Sequence, residues 1–142
     1  MDVFEIMTRN VDSLPSNYTV LDAAKKMRTL NVGVLPVTEE GHVVGMITDR
    51  DIVVRAISEE LNPGNTSLKE VMSREIFSCK ENADIAEAAK IMEERRVRRL
   101  LVQNNEGSVT GIISLGDIAT HVQKELSGEI LQQVSEPSFP RR

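Results

Sequence analysis

Residues 43–53 read VVGMITDRDIV, and residues 109–119 read VTGIISLGDIA. Each is an apolar, β-branched run that stops at a hydroxyl, Thr48 or Ser114. An aspartate follows three residues later, Asp51 or Asp117, where a helical pattern begins. A strand that turns directly into a helix is therefore written twice in this chain. Only the middle of the turn differs: Asp49 and Arg50 in the first copy, Leu115 and Gly116 in the second.

The duplication extends outward from these turns. A displacement of 65 residues pairs Met7 with Met72, Arg9 with Arg74, Ser13 with Ser78, Ala23 with Ala88, Met27 with Met92, Leu35 with Leu100 and Val37 with Val102. One extra residue in the loop NNEG moves the displacement to 66, and Gly41 then meets Gly107, Gly45 meets Gly111 and Ile52 meets Ile118. Self-similarity at a fixed period, kept in order, is the signature of a repeated supersecondary unit.

Each copy has the same grammar. Val20, Ala23, Ala24, Met27 and Leu30 recur at helical spacing, and Thr19 with Asp22, like Asp84 with Glu87, stands at capping-box spacing where a helix begins. The runs VLPVT and VVGMI, separated by EEGH, predict two strands. A second helix follows with Ile52, Val53, Ala56 and Ile57 on its apolar side; its counterpart uses Ile118, Ala119, Val122 and Leu126. Short strands around Asp12–Leu14 and Ile76–Ser78 are expected to open each unit.

The reading is an α+β fold of two strand–helix–strand–strand–helix repeats. So small a half buries too little surface to be stable alone, which argues for two halves packed sheet to sheet. The linker LNPGNTS separates a first domain, 1–62, from a second, 66–126. Residues 127–142 are expected to be an extension of a short helix and a flexible tail.

Composition excludes several functions. A 142-residue chain with 40% hydrophobic and 27% charged residues has the composition of a folded domain, but 3% aromatics without Trp disfavour a base-stacking or sugar-stacking surface. The net charge of −5 argues against binding duplex nucleic acid through the protein's general field, leaving the basic segment ERRVRR as its only foothold. One cysteine, Cys79, excludes an intramolecular disulfide and multi-thiolate metal sites, and two histidines, His42 and His121, leave little for zinc. Cys79, beside Phe77, reads as a small buried residue; His42 and His121 read as surface residues. The N-terminus lacks a secretory pattern and no stretch has the length of a membrane span, so the expectation is a cytoplasmic protein with no membrane partner.

The two turns admit two chemistries. Thr48 and Ser114 stand three residues ahead of an acid, so both fit capping boxes, although that motif favours the longer Glu or Gln at its last position. The same geometry suits a nucleotide: a helix N-terminus attracts phosphate, a hydroxyl donates to it, and a carboxylate accepts from ribose hydroxyls. Val32, Gly33 and Val34 offer an apolar wall that a base can approach, and Arg98 and Arg99 offer bidentate partners for phosphate. Taken singly, each arginine fits a solvated ion pair equally well.

The doubled pattern MTRN…TVLDAAKKM…NVGVLPVTEEGHVVGMITDRDI and VMSRE…ADIAEAAKIM…VRRLLVQNNEGSVTGIISLGDI closely resembles a tandem pair of cystathionine-beta-synthase (CBS) domains, a Bateman module, from about Val3 to about Leu126. The resemblance implies a regulatory module rather than a catalyst, with halves related by a pseudo-twofold axis and two clefts between them. Many members bind AMP, ADP, ATP or S-adenosylmethionine there. It places ribose contacts on Asp51 and Asp117, and phosphate contacts on Thr48 and Ser114, with Arg50 as an added charge in the first copy. Similarity to the gamma subunit of the AMP-activated kinase places phosphate contacts on Arg98 and Arg99 as well, and the adenine walls fall on Val32, Gly33, Val34, Val97 and Ile76. The Asp117 cleft, with its base-facing wall drawn from Val32–Val34, is expected to be the stronger. The resemblance also implies a disc-like homodimer and a regulated partner protein that the sequence does not name.

Three further classes stand beside this sensor. One is an adaptor with empty clefts that acts through dimerisation and docking, and another is nucleic-acid binding through ERRVRR. The third is an enzyme, for which no nucleophile, base and orienting residue form a recognisable set.

Overall fold

The computed structural model describes residues 1–134. In chain order its elements are α1 (Val3–Ile6), β1 (Thr8–Arg9), β2 (Leu14–Pro15), α2 (Val20–Leu30), β3 (Val34–Glu39), β4 (His42–Thr48), α3 (Asp49–Asp51) with a π-helical turn (Ile52–Ile57), α4 (Leu68–Val71), β5 (Ser78–Lys80), α5 (Ile85–Arg95), β6 (Arg99–Gln103), β7 (Val109–Ser114) and α6 (Leu115–Val134). The α+β class and the repeated strand–helix–strand–strand–helix order are those expected from the sequence.

The chain forms two compact units. The first lobe is Asn10–Ile76; the second is Met1–Arg9 together with the chain from Phe77 onward. The first sheet has the order β2-β3-β4, and the second has the order β1-β7-β6-β5. In each, a parallel pair (β2 with β3, β5 with β6) is followed by an antiparallel hairpin (β3 with β4, β6 with β7), and each hairpin carries a register shift, at Val37/Thr38 and Val102/Gln103.

The compact lobes are not coextensive with the sequence repeats. The leader of the first repeat belongs to the second lobe: Thr8 pairs with Ile112 and Arg9 with Gly111 across β1 and β7. The leader of the second repeat belongs to the first lobe, where Ser73 bridges Met46 of β4. The leader helices α1 and α4 are absent from the elements expected, because four residues carry no helical period. Their mark in the sequence is capping-box spacing, since the Glu5 and Glu70 carboxylates accept from the N–H groups of Asp2 and Ser67.

Burial follows the aliphatic pattern. Leu14, Val20, Ala23, Met27, Leu35, Val37, Ile47 and Ala56 form the first core with Leu68, Val71 and Met72 of the leader. Val3 and Met7 join Cys79, Ala88, Met92, Leu100, Val102, Ile113 and Ile118 in the second. Cys79 is buried as expected. Its thiol is pushed up to about 11 by loss of water, with the negative charge of Glu87 adding to the effect.

Three local expectations need correction. The apolar side expected of the second helices buries Ala56 and Ile118 and packs Ile52 in part on the first core, while Val53, Ile57, Val122 and Leu126 are exposed. Asp84 caps α5 by accepting from the Ala86 N–H at 2.9 Å, without the reciprocal bond from its own N–H to the Glu87 carboxylate that the spacing suggested. The short helix expected beyond residue 126 is not separate, because α6 runs unbroken through Ser127 and Gly128 to Val134; the expected flexible tail lies outside the described residues.

Candidate functional site

Each helix-opening turn is positioned by the end of the preceding helix. Helices α2 and α5 both stop at a residue in the left-handed conformation, Asn31 at φ 56° and Arg96 at φ 57°. The Val32 and Val97 N–H groups then return to the carbonyls of Met27 and Met92, each at 3.0 Å. This brings the next residue against the turn: the Asp49 N–H donates to the Gly33 carbonyl at 3.0 Å, and the Leu115 N–H donates to the Arg98 carbonyl at 2.8 Å. In register, Val34 lies opposite Thr48 and Arg99 opposite Ser114.

The hydroxyl and the aspartate close a capping box in both lobes. The Thr48 N–H donates to Asp51 Oδ2 at 3.0 Å, and the Asp51 N–H to Thr48 Oγ1 at 3.0 Å. The Ser114 N–H donates to Asp117 Oδ2 at 2.9 Å, and the Asp117 N–H to Ser114 Oγ at 3.0 Å. An aspartate in the last position is thus no mark of a ligand: Asp22 closes the same box with Thr19, and those hydrogen bonds hold its carboxyl below the usual range.

The caps leave groups to spare. Each hydroxyl accepts a bond in its box, and among the described residues none takes its own proton, which can therefore be donated to a phosphate oxygen. The second oxygen of Asp51 lies 3.8 Å from Arg55 Nε, whereas no hydrogen bond or ion pair within the described residues engages the second oxygen of Asp117. Arg55 also donates through Nη1 to the carbonyls of Val71 and Met72 at 3.4 and 3.2 Å.

Within the first lobe the fold therefore gathers Gly33, Val34, Thr48 and Asp51 at one turn, with Arg50 exposed beside them and Val32 packed on the core behind. Within the second lobe it gathers Arg98, Arg99, Ser114 and Asp117, with Val97 packed on that core. Arg98 and Arg99 are exposed, and no carboxylate within the described residues lies close enough to form an ion pair with them. Ile76 is half-buried and no described hydrogen bond ties it to either turn. Sequence reading overlooked Asp49, whose carboxylate lies over Gly33: a Cβ placed on that glycine would stand 3.0 Å from Asp49 Oδ2.

A groove of about 680 Å³ opens at the other end of β3, lined by Ser16, Thr38, Glu39 and His42 among others, and contains none of the expected site residues. Among the described residues no three His, Cys, Asp or Glu side chains are grouped to hold a metal, and no helix is long and apolar enough to cross a membrane. His42 is exposed as expected; His121 is only 17% exposed, 3.9 Å from Glu125.

The CBS-domain model matches residues 3–57 and 68–124, which include both turns. The chain belongs to the CBS-domain family. Among curated CBS relatives, the CBS domain-containing protein YhcV of Bacillus subtilis is 38% identical over 136 residues, covering 94% of each chain. Hypoxic response protein 1 of Mycobacterium tuberculosis is 31% identical, with 94% of this chain and 93% of that one covered. Among solved structures, the CBS domain pair of protein MJ0100, in complex with 5′-methylthioadenosine and S-adenosyl-L-methionine, superposes with a TM-score of 0.77 at 25% identity, covering 88% of this chain and 98% of that one.

Proposed function

We propose that the chain is a non-catalytic sensor that binds an adenosine-containing ligand, AMP, ADP, ATP or S-adenosylmethionine, at its helix-opening turns. The observation that carries this reading is the Ser114–Asp117 turn, where, among the described residues, no bond engages the second carboxylate oxygen or the hydroxyl proton and no carboxylate pairs with the two arginines beside them. Asp117 accepts from the ribose hydroxyls, and Ser114, Arg98 and Arg99 hold phosphate. Thr48, Asp51 and Arg50 serve the first-lobe turn in the same roles, while Val32, Gly33, Val34, Val97 and Ile76 supply apolar walls. Binding of two adenosine compounds by the MJ0100 domain pair supports the ligand class.

The ligand state is passed to a regulated protein by a homodimer. Support for self-association comes from the exposed apolar residues of the second helices, Val53, Ile57, Leu115, Val122 and Leu126.

Titration of the ligand-stripped protein with AMP, ATP and S-adenosylmethionine tests the reading. Saturable binding of at least one is expected, weakened about tenfold or more by Asp117→Ala through loss of charge-assisted hydrogen bonds. An absence of binding to all three at millimolar concentration overturns it. The completed caps favour one second reading, an adaptor whose turns only start helices; there Asp117→Ala costs about 1 kcal/mol of stability and changes no affinity.

A further inference from the structure

Resting on the reading that both turns hold adenosine ligands, we propose that Asp49 is a specificity-determining residue. It makes the first-lobe turn, despite Thr48 and Arg50, hold a phosphorylated adenosine more weakly than an uncharged or cationic one, which leaves the second-lobe turn as the preferred site of the phosphorylated ligand.

The two turns share a backbone and differ in charge. The bond from Asp49 N–H to the Gly33 carbonyl and that from Leu115 N–H to the Arg98 carbonyl make positions 33 and 49 correspond to 98 and 115. In the first lobe, the space a side chain would take at Gly33 is bounded by a carboxylate, with Asp49 Oδ2 3.0 Å from the Cβ position. That carboxylate is held in place: Oδ1 accepts from the Arg50 N–H at 2.8 Å. Among the described residues no lysine, arginine or histidine forms an ion pair with it.

The second lobe inverts this arrangement. Arg98 and Arg99 stand where the first lobe has Gly33 and Val34, and Leu115 stands where it has Asp49. The first turn thus sets two carboxylates, Asp49 and Asp51, against Arg50 and an Arg55 already engaged with Asp51 and the carbonyls of Val71 and Met72, and the second sets Arg98 and Arg99 against Asp117. A phosphate monoester carries a charge of about −1.5 to −2 at neutral pH, so it is repelled where the Asp49 carboxylate is fixed and held where the arginines are free. A neutral thioether loses nothing beside Asp49, and a sulfonium is attracted to it.

The full chain, stripped of ligand, is titrated calorimetrically with AMP and 5′-methylthioadenosine, the second being a neutral reference for the integrity of the turn. In an Asp117→Ala background, which isolates the first-lobe turn, Asp49→Asn is expected to strengthen AMP binding about tenfold and leave 5′-methylthioadenosine unchanged. In the wild-type background, Leu115→Asp is expected to weaken the tighter AMP step about tenfold, again with 5′-methylthioadenosine unchanged. An unaltered preference between the two ligands in both variants overturns the role of Asp49 while leaving the sensor intact. Equal losses of both ligands on Asp49→Asn also overturn it, because the residue then only supports the turn. If the wild-type protein binds neither these ligands nor ATP or S-adenosylmethionine, the underlying reading fails instead.

Discussion

The two lobes receive each other's leaders through matching contacts, yet they fasten them differently. In the second lobe the Val3 and Phe4 N–H groups donate to the carbonyls of Ala83 and Glu81, and β1 pairs two residues with β7. In the first lobe the Leu68 and Lys69 N–H groups donate to the equivalent carbonyls of Tyr18 and Ser16, but strand pairing shrinks to the single bridge between Ser73 and Met46. There the fastening is supplemented by Arg55, which reaches the carbonyls at the end of α4. The position matching Arg55 is His121, on a helix that runs on to Val134 instead of closing in a π-helical turn. One sequence grammar therefore tolerates two ways of holding a leader, provided the backbone can come close to the sheet.

That closeness is the first thing to break. A Cβ at Gly111 would stand 2.5 Å from the Thr8 carbonyl oxygen, and one at Gly45 would stand 2.6 Å from Met72 Sδ and 2.8 Å from the Ser73 carbonyl oxygen. Each glycine also faces a methionine sulfur that can yield, Met7 or Met72, but the leader carbonyl, which cannot, is nearer at Gly111, so Gly111→Ala is expected to lower stability by about 3 kcal/mol and Gly45→Ala by about 2 kcal/mol. Chemical denaturation of both variants measures the difference, and equal losses would erase the distinction between the two leaders.

A smaller effect tests the arginine latch. Arg55→Met keeps the aliphatic stem and removes the donors to Val71 and Met72, so a loss of about 1 kcal/mol is expected. His121→Met in the second lobe should stay within about 0.5 kcal/mol, since among the described hydrogen bonds none from His121 to a leader carbonyl is lost there. Denaturation midpoints of the two variants decide the point.

The mildest contrast lies between Leu14 and Cys79, which occupy matching positions in the two cores. Burial raises the Cys79 thiol to about 11 from an ordinary value of 9.0, so the folded chain retains a proton that the unfolded chain gives up. The contribution is complete below pH 9, and stability falls as pH rises from there through about 11. Cys79→Leu should flatten that part of the stability–pH curve. At neutral pH, modification of the wild-type thiol should follow unfolding rather than precede it.

Much of this was legible in the residues. Periodicity at Val20, Ala23 and Met27, with Thr19 and Asp22 before them, marks α2, and the copy at 65 residues' distance makes every element appear twice. Capping residues can be read because they act on backbone groups two or three positions away. Burial of the second helices was less legible: Val53, Ile57, Val122 and Leu126 fit an apolar face, but spacing tells which residues share a face and not what covers it. Of the site, Thr48 with Asp51 and Ser114 with Asp117 could be found by repetition, whereas Asp49 could not, because it does not recur.

The sequence by itself determined the class of the fold, the number of repeats and the residues of the two turns. These depend on local spacing and hydrogen bonds that close within a few residues. Tertiary structure decided that Met1–Arg9 completes the sheet of the second lobe, that residues 67–73 fasten to the first, and that the Asp49 carboxylate covers Gly33. Those contacts join residues between 16 and about 100 positions apart, where no periodicity reaches and only the closing of sheets and loops selects the neighbour.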